Sequence, residues 1–188
     1  MTKAGKLFII SGPSQVGKNT IAKQVTKYKQ LRLAKIITVT TRHRRPDDKL
    51  ATYNFVTVKK FRRMIKDARF LEWAKVHQDY YGTPQKNVTN NLLAGRNVVL
   101  VIDVQGARQI KKIIPSTITI FITAETTAEL KRRIFDSRHI PNNQKLARWR
   151  STLKELRAAR SYDYMVVNRW GKLPQAVKRV KNIISRHL

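Results

Sequence analysis

Hydrophobic and polar positions along this chain switch repeatedly between the two patterns that distinguish strands from helices. Continuous or alternating apolar runs predict strands at 6–11, 33–40, 53–57, 70–76, 97–103, 116–123 and 165–168. Apolar residues spaced three and four apart predict helices at 18–29, 59–68, 84–95, 105–114, 126–138, 143–160 and 173–185. The polar stretch 41–52 predicts a loop.

The order of these elements indicates the fold class. Strands that alternate with helices favour right-handed βαβ units, and therefore an α/β fold with a parallel sheet covered by helices on both faces. The section from about 38 to 90 breaks this rhythm with shorter strands. We therefore predict an inserted subdomain there, within one domain.

Length and residue usage restrict the class of protein. The 188 residues suffice for one compact core, and no apolar run approaches the length of about 20 residues that a membrane span needs. The apolar stretch at the start is too short for a secretory signal and suits a buried strand. The chain has no cysteine, which excludes disulfides and thiolate metal sites. We expect a cytoplasmic protein without a membrane partner.

The charge balance is strongly basic. Forty Lys and Arg residues face eleven Asp and Glu residues, which gives a formal net charge of +29. Such a surface attracts polyanions and predicts weak, salt-dependent binding of nucleic acid. Because the excess is spread along the chain, two interpretations stay open: a solvated surface suited to anionic substrates, or a selected nucleic-acid role. The scarcity of acids makes each carboxylate informative.

The segment "GPSQVGKNT" between the first predicted strand and helix has the composition of a phosphate-binding loop. Glycines allow the backbone to curl so that N–H groups point inward, and the following helix N-terminus favours anions. Lys18 can reach the β- and γ-phosphates of a nucleotide. The predicted ATP-binding residues in this loop are Gly12, Pro13, Ser14, Gln15, Val16, Gly17, Lys18, Asn19 and Thr20.

This loop resembles that of guanylate kinases, in which the pattern is close to GPSGVGKGT. Six further segments resemble guanylate kinase motifs in the same order: "TVTTRHRR", "YNFVTVKKF", "FLEWAKVHQDYYGTP", "VIDVQGA", "AELKRRI" and "YDYMVVN". The resemblance covers nearly the whole chain. It implies a P-loop core at 1–37, 91–130 and 151–188, a mixed α/β GMP-binding subdomain at 38–90, and a helical lid at 131–150. It also implies Mg²⁺-dependent phosphoryl transfer from ATP to GMP or dGMP.

Two arginines and two tyrosines are candidates for holding the phosphate of GMP. Arg42 and Arg45 are three residues apart at the end of a predicted strand, and guanidinium forks suit phosphate oxygens. Tyr53 and Tyr81 each offer a phenolic donor, and the matching family residues hold the GMP phosphate. The alternative is that the arginines are two more cations on a basic surface.

Glu72 is the candidate for recognising the base. It is one of only four glutamates and lies in the apolar run "FLEWAKV", alternating with Leu71 and Trp73, which we expect to point the other way. Guanine offers two adjacent donors, N1–H and the exocyclic amino group, whereas adenine does not, so a carboxylate discriminates between them. In the family, the matching residue does this, and Thr38 and Thr83 match hydroxyls that contact the base. The alternative for Glu72 is an ion pair at a strand edge.

The resemblance also suggests residues for the metal and the lid. Asp103 ends a predicted buried strand, where a carboxylate orients hydrated Mg²⁺ together with the Thr20 hydroxyl. Closing lid arginines would steady the transferred phosphoryl group. Asn168 matches a family asparagine near the adenine. The lid candidates are Arg133, Arg138 and Arg148, with Glu155 at the usual interval after the last; otherwise they are ordinary surface cations.

Several positions depart from the family pattern. Gln15 and Asn19 replace loop residues that are usually small, and Val101 replaces the first acid of an Asp-Ile-Asp pattern. Ser137 stands where a lid arginine is usual. The substrate loop "RPDDKLATY" is one residue short, with Asp47 or Asp48 in place of the usual glutamate.

The four histidines lack ligand spacing. We expect Trp73, Trp149 and Trp170 to serve in packing; the alternative is that they are stacking platforms. The leading hypothesis is therefore a guanylate kinase. A second is a catalytically weakened binding module with a basic nucleic-acid-binding surface, and a third is a kinase for another monophosphate, which Glu72 disfavours.

Overall fold

The computed structural model describes residues 4–44, 53–76, 78–138 and 140–188. Its strands are β1 (Leu7–Ser11), β2 (Leu33–Lys35), β3 (Thr38–Thr40), β4 (Tyr53–Phe55), β5 (Phe70–Val76), β6 (Asp79–Pro84), β7 (Asn97–Val101), β8 (Ile118–Thr123) and β9 (Tyr164–Val167). Its helices are α1 (Lys18–Val25), α2 (Val58–Lys66), α3 (Gln85–Leu93), α4 (Val104–Ile113), α5 (Thr127–Phe135), α6 (Asn142–Ala158) and α7 (Leu173–Arg186). No helix within these ranges is long and apolar enough to cross a membrane.

Five parallel strands form the core sheet, in the order β2-β7-β1-β8-β9. Side chains of α1 and α7 pack on one face of this sheet, and those of α3 and α4 pack on the other. Every residue of the central strand β1 is buried as a result. The predicted α/β fold, with a parallel sheet between two layers of helices, is confirmed.

Four strands form a second, mixed sheet in the order β4-β3-β6-β5. Strands β3 and β4 are parallel, whereas β6 is antiparallel to both β3 and β5. Helix α2 covers one side, where the Phe61 ring stacks on Phe70 with centroids 4.6 Å apart. This sheet occupies the section in which the regular alternation of strands and helices breaks down.

The predicted strand 33–40 is wrong in one respect, because it is two strands. Its first half is β2 in the parallel sheet, and its second half is β3 in the mixed sheet. Ile36, between them, is buried beneath the core helices. A continuous apolar run shows burial but not which sheet buries it, so the sequence pattern could not reveal the crossing.

Strand β6 was also missed by the sequence prediction, which began a helix at Pro84. Its sequence, "DYYGTP", has neither alternation nor an apolar run. Pairing with β3 on one side and β5 on the other defines this strand. Helix α3 therefore begins at Gln85, one residue later than predicted.

Strand pairing divides the mixed sheet into two chemically different faces. Residues paired across strands share a face, and successive residues alternate between faces. A bulge between Phe70 and Glu72 shifts the register of β5. The inner face carries Thr38, Thr40, Tyr53, Phe55, Glu72, Ala74, Tyr81 and Thr83. The outer face, on the side of α2, carries Val39, Asn54, Trp73, Lys75, Tyr80 and Gly82.

Candidate active site

The phosphate loop connects β1 to α1 at the carboxyl end of the central strand, as the sequence predicted. The Lys18 Nζ donates hydrogen bonds to the carbonyls of Gly12 at 2.5 Å and Pro13 at 2.6 Å. Burial lowers the pKa of Lys18, while the carboxylates of Glu155 and Asp103 act in the opposite direction. The amine is therefore held inside the curl of the loop, where an anionic ligand would be bound.

Asn168 supports this loop from below. Its side-chain amide donates to the Val16 carbonyl at 3.0 Å, and its backbone N–H donates to the Thr123 carbonyl at 2.7 Å. Gly17 has φ 81°, and a Cβ there would lie 2.9 Å from the Asn168 amide nitrogen. The structure thus places Asn168, which the resemblance assigned to the adenine, as a buried support between β9 and the loop.

Gln15 connects the loop to the segment after α5. It has φ 65°, in the left-handed region that glycine adopts most easily. Its amide donates to the Ser137 hydroxyl at 3.2 Å. Two of the residues that depart from the family pattern therefore contact each other, which the sequence did not suggest.

Two carboxylates lie close to Lys18. Asp103 caps helix α4 by accepting from the backbone N–H groups of Gln105 at 2.7 Å and Gly106 at 3.3 Å. Burial raises the pKa of Glu155, which Lys18 opposes, and the Ser151 hydroxyl donates to it at 3.2 Å. Sequence analysis singled out Glu155 only by its interval after Arg148. A second signal was available, because Glu155 is an acidic residue in a helix that is otherwise rich in Lys and Arg.

Glu72 lies in a buried pocket on the inner face. It is 4% exposed, and Thr83 donates its hydroxyl to the Glu72 Oε1 at 2.6 Å. A Cβ added to Gly106 would lie 2.5 Å from the Glu72 Oε2, so the carboxylate packs on the first turn of α4. Burial raises the pKa of Glu72 to about 7, the Thr83 hydrogen bond opposes this, and Asp103 adds to it.

The surroundings of Glu72 do not fit the alternative of an ion pair at a strand edge. Among the described residues, no Lys or Arg lies within ion-pair distance of its carboxylate. The alternative of an ion pair at a strand edge is therefore not what the described part of the chain shows. Gly106 was missed by the sequence analysis, although a glycine inside a predicted helix commonly has a packing reason.

Arg42, Tyr53 and Tyr81 come together beside this pocket. The Arg42 guanidinium lies 5.4 Å from the centre of the Tyr53 ring, and the rings of Tyr53 and Tyr81 are 6.0 Å apart. Burial raises the pKa of Tyr81, and Arg42 opposes the rise. Thr38 is buried on the same inner face. Arg45, Asp47 and Asp48 lie outside the described residues.

The three lid arginines differ in their environments. Arg133 is buried, forms an ion pair with Glu129 and donates to the Asn168 carbonyl at 2.7 Å. Arg148 lies on α6, donates to Gln144 at 3.3 Å and acts on the Glu155 carboxyl. Arg138 is exposed in the turn after α5. Arg133 is thus fixed to the end of β9, and Arg148 lies near Glu155, one of the two acids close to Lys18.

The three tryptophans differ in how far they are buried. Trp149 packs against the main core cluster, as expected. Trp73 is 40% exposed and Trp170 is 68% exposed, so neither is a core residue. The guanidinium groups of Arg132 and Arg133 lie 5.6 and 5.5 Å from the centre of the Trp170 ring. Trp73 lies on the outer face of the mixed sheet.

The core sheet, its phosphate loop and the acidic pocket facing α4 fit a nucleoside-monophosphate kinase. The family model described as guanylate kinase matches residues 4–187. Guanylate kinase from Clostridium acetobutylicum is 37% identical over 98% of this chain and 87% of its own length. That from Syntrophomonas wolfei subsp. wolfei is 41% identical over 98% and 93% of the two chains. The crystal structure of guanylate kinase from Anaplasma phagocytophilum has a TM-score of 0.80 and 28% identity, covering 98% and 87% of the two chains.

The chain belongs to the guanylate kinase family. The resemblance on which the sequence analysis relied is thereby confirmed over nearly the whole chain. A catalytically weakened binding module is not the favoured alternative.

Proposed function

We propose that this protein transfers the γ-phosphoryl group of ATP to GMP or dGMP, with the two nucleotides bound at the phosphate loop and the inner face. The observation that carries the proposal is that one residue, Asp103, lies near both the phosphate loop and the Glu72 pocket. Asp103 acts electrostatically on both Lys18 and Glu72, so it lies near the loop amine and near the buried carboxylate. With ATP phosphates at the loop and the base of GMP at Glu72, the two nucleotides would meet near Asp103 at the start of α4.

Base selection follows from Glu72. Its carboxylate can accept from guanine N1–H and the exocyclic amino group, with Thr83 fixing one oxygen. Adenine lacks this pair of donors, and a buried carboxylate left without donors is costly. Thr38 is a buried hydroxyl on the same face. We propose that this pocket selects guanine.

The reaction itself needs alignment more than acid–base chemistry. A phosphate oxygen of GMP attacks the γ-phosphorus, a new P–O bond forms, and the bond to the ADP oxygen breaks. The attacking oxygen is already anionic, so no side chain must remove a proton. Arg42, Tyr53 and Tyr81 would orient the acceptor phosphate, with Arg45 as a further candidate outside the described residues. Lys18, Arg133, Arg138 and Arg148 would neutralise the charge that moves to ADP.

Magnesium fits the residues present as an ion bound through phosphates and water. Mg²⁺ commonly keeps several waters and uses one or two carboxylates. Within the described ranges, no group of three or more potential ligands could hold a metal by itself. Asp103 lies near Lys18, and Thr20 is on the first turn of α1, so these two would hold the hydrated ion beside ATP. When bound, Mg²⁺ would neutralise charge on the phosphates.

A coupled assay of ADP release with GMP, dGMP, AMP, CMP and UMP tests this function. We expect turnover with the two guanine nucleotides and at most about 1% of that rate with the others. Comparable rates with AMP would refute selection by Glu72. No turnover with any acceptor would refute phosphoryl transfer.

Nucleic-acid binding is a second candidate property, which we infer from the charge. The chain carries +29, and several of its few acids are engaged within the fold. Examples are Glu129 with Arg133 and Asp163 with Lys111. Cations on the surface are therefore left largely uncompensated, which supports weak binding of polyanions alongside catalysis.

A further inference from the structure

Helix α2 presents a row of cations to solvent. Lys59, Arg62, Arg63 and Lys66 are spaced three and four residues apart, so they follow one side of the helix, and all four are exposed. Phe61 is buried on the opposite side against the mixed sheet. The nearest acid along the helix is Asp67, whose carboxylate lies 3.9 Å from Arg63. Lys59, Arg62 and Lys66 therefore provide a compact, positively charged surface.

An aromatic cluster lies on the outer face of the mixed sheet, which α2 covers. Tyr80 packs against Phe61 with ring centroids 5.4 Å apart, and its other neighbours are Trp73 at 6.2 Å and Lys75, whose amine is 5.8 Å from the Tyr80 ring. Trp73 is 40% exposed. The exposed Trp73 indole and the exposed Lys75 amine therefore border the same Tyr80 ring, so an aromatic surface and a cation lie together on this face.

Strand geometry separates this surface from the kinase site. Trp73 follows Glu72 directly in β5, so their side chains project from opposite faces of the sheet. Glu72 is buried against α4, whereas Trp73 is exposed on the side of α2. A ligand on the outer face would thus leave the pocket for the base open.

We propose that α2 and the outer face of the mixed sheet bind single-stranded nucleic acid. The cations of α2 contact the phosphates, and the Trp73 indole stacks on a base. Proteins that bind single strands without sequence preference combine these two features, a positively charged track and aromatic platforms. A duplex hides the faces of its bases, so Trp73 gives the site a preference for unpaired strands. The proposal depends on the inferred polyanion binding and is independent of phosphoryl transfer.

Fluorescence anisotropy with a labelled oligo-dT of about 12 nucleotides tests the cations. The variant Lys59→Gln/Arg62→Gln/Lys66→Gln is compared with Lys178→Gln/Arg179→Gln/Arg186→Gln, which removes three exposed cations from α7 on the far side of the core. We expect the α2 variant to lose at least about tenfold in affinity, and its salt dependence to fall by about 2 in slope. The α7 variant should lose less than about threefold. Equal losses would show that binding is only a property of net charge and would overturn the proposal, as would unchanged binding in both.

The stacking contact is tested separately with Trp73→Leu and Trp73→Phe. We expect Trp73→Leu to weaken oligo-dT binding by about fivefold to a hundredfold, and Trp73→Phe to retain most of it. A duplex of the same length should bind more weakly and should not respond to Trp73→Leu. If Trp73→Leu binds oligo-dT like the wild type, the surface is not a single-strand site.

Two controls distinguish a failure of this proposal from misfolding of a variant and from a failure of the proposed kinase function. GMP with ADP at saturation should leave oligo-dT bound, and displacement would place the oligonucleotide in the kinase site and overturn the proposal. Wild-type turnover of GMP in the α2 and Trp73 variants would show that they are folded. If turnover is absent in the wild type but the pattern of oligo-dT binding holds, the kinase proposal fails and this one stands.

Discussion

The Thr83 hydroxyl donates to Glu72 Oε1 at 2.6 Å across the β5–β6 pair, in a pocket closed by the first turn of α4. Thr83 is fully buried and Glu72 nearly so. The hydrogen bond fixes one carboxylate oxygen, but a single neutral donor does not replace the hydration that a charged carboxylate loses. The carboxylate therefore gains most when a ligand brings further donors, as guanine does.

Replacing Glu72 with Gln should remove selection of the base. We expect kcat/KM for GMP to fall at least about 100-fold, because an amide offers guanine N1–H and its amino group only one acceptor oxygen in place of two. The KM for ATP should change less than about threefold. Steady-state kinetics with each substrate varied in turn gives both values. A parallel loss for ATP and GMP would contradict the role of Glu72.

Binding of GMP should release a proton from Glu72 in mildly acidic solution. Burial holds the pKa of Glu72 at about 7 in the free protein, and donors from guanine favour the charged form. Affinity for GMP should therefore rise as the pH increases toward 7 and then level off. Calorimetry in buffers of different ionisation enthalpy measures the protons released. Glu72→Gln serves as the control, because ionisation of the GMP phosphate contributes to both proteins.

The same carboxyl should make folding stability depend on pH. Its pKa is raised from 4.5 to about 7 on folding, so the native state binds more protons than the unfolded state between these values. Stability should be highest below the unfolded pKa and fall by up to about 3 kcal/mol as the pH rises through 7. Urea unfolding of the wild type and Glu72→Gln, from pH 4.5 to 8, measures this. A difference between the two proteins that does not vary with pH would contradict the burial of the charge.

Gly106→Ala should impair GMP binding without touching ATP. A Cβ there would lie 2.5 Å from Glu72 Oε2, so the carboxylate must move. We expect the KM for GMP to rise about tenfold to a hundredfold, since small displacements of a recognition group are costly. Gln105→Ala, an exposed change on the same turn, is the matched control. If both variants bind GMP like the wild type, the packing of Glu72 on α4 has no role in recognition.

Lys18→Ala should abolish turnover while leaving the acceptor site intact. The Lys18 amine bonds to the carbonyls of Gly12 and Pro13 and is the cation inside the loop. We expect kcat to fall at least about 1,000-fold and the Kd for GMP to change less than about threefold. Lys23→Ala, on the exposed side of α1, should retain activity. A large loss of GMP affinity in Lys18→Ala would indicate that the loop and the pocket are not separate sites.

The sequence predicted the core better than the inserted section. Strand β1, the phosphate loop and α1 follow from local patterns, because a buried strand and a glycine-rich turn can each be recognised from consecutive residues. Strand β6 has no such local pattern, because its pairing with β3 and β5 defines it. The split of the run 33–40 was hidden for the same reason, because burial in either sheet requires the same apolar residues.

For the site, the sequence by itself determined which chemical groups are present: an amine in a phosphate loop, a scarce carboxylate in an apolar run, and arginines and tyrosines around it. Only the tertiary structure decided how they are used. It buried Glu72 against Gly106, turned Trp73 out to solvent, placed Asn168 beneath the loop and brought Gln15 to Ser137. These relationships join residues far apart in the chain, and a local pattern records the burial of a residue but not the identity of its distant partner.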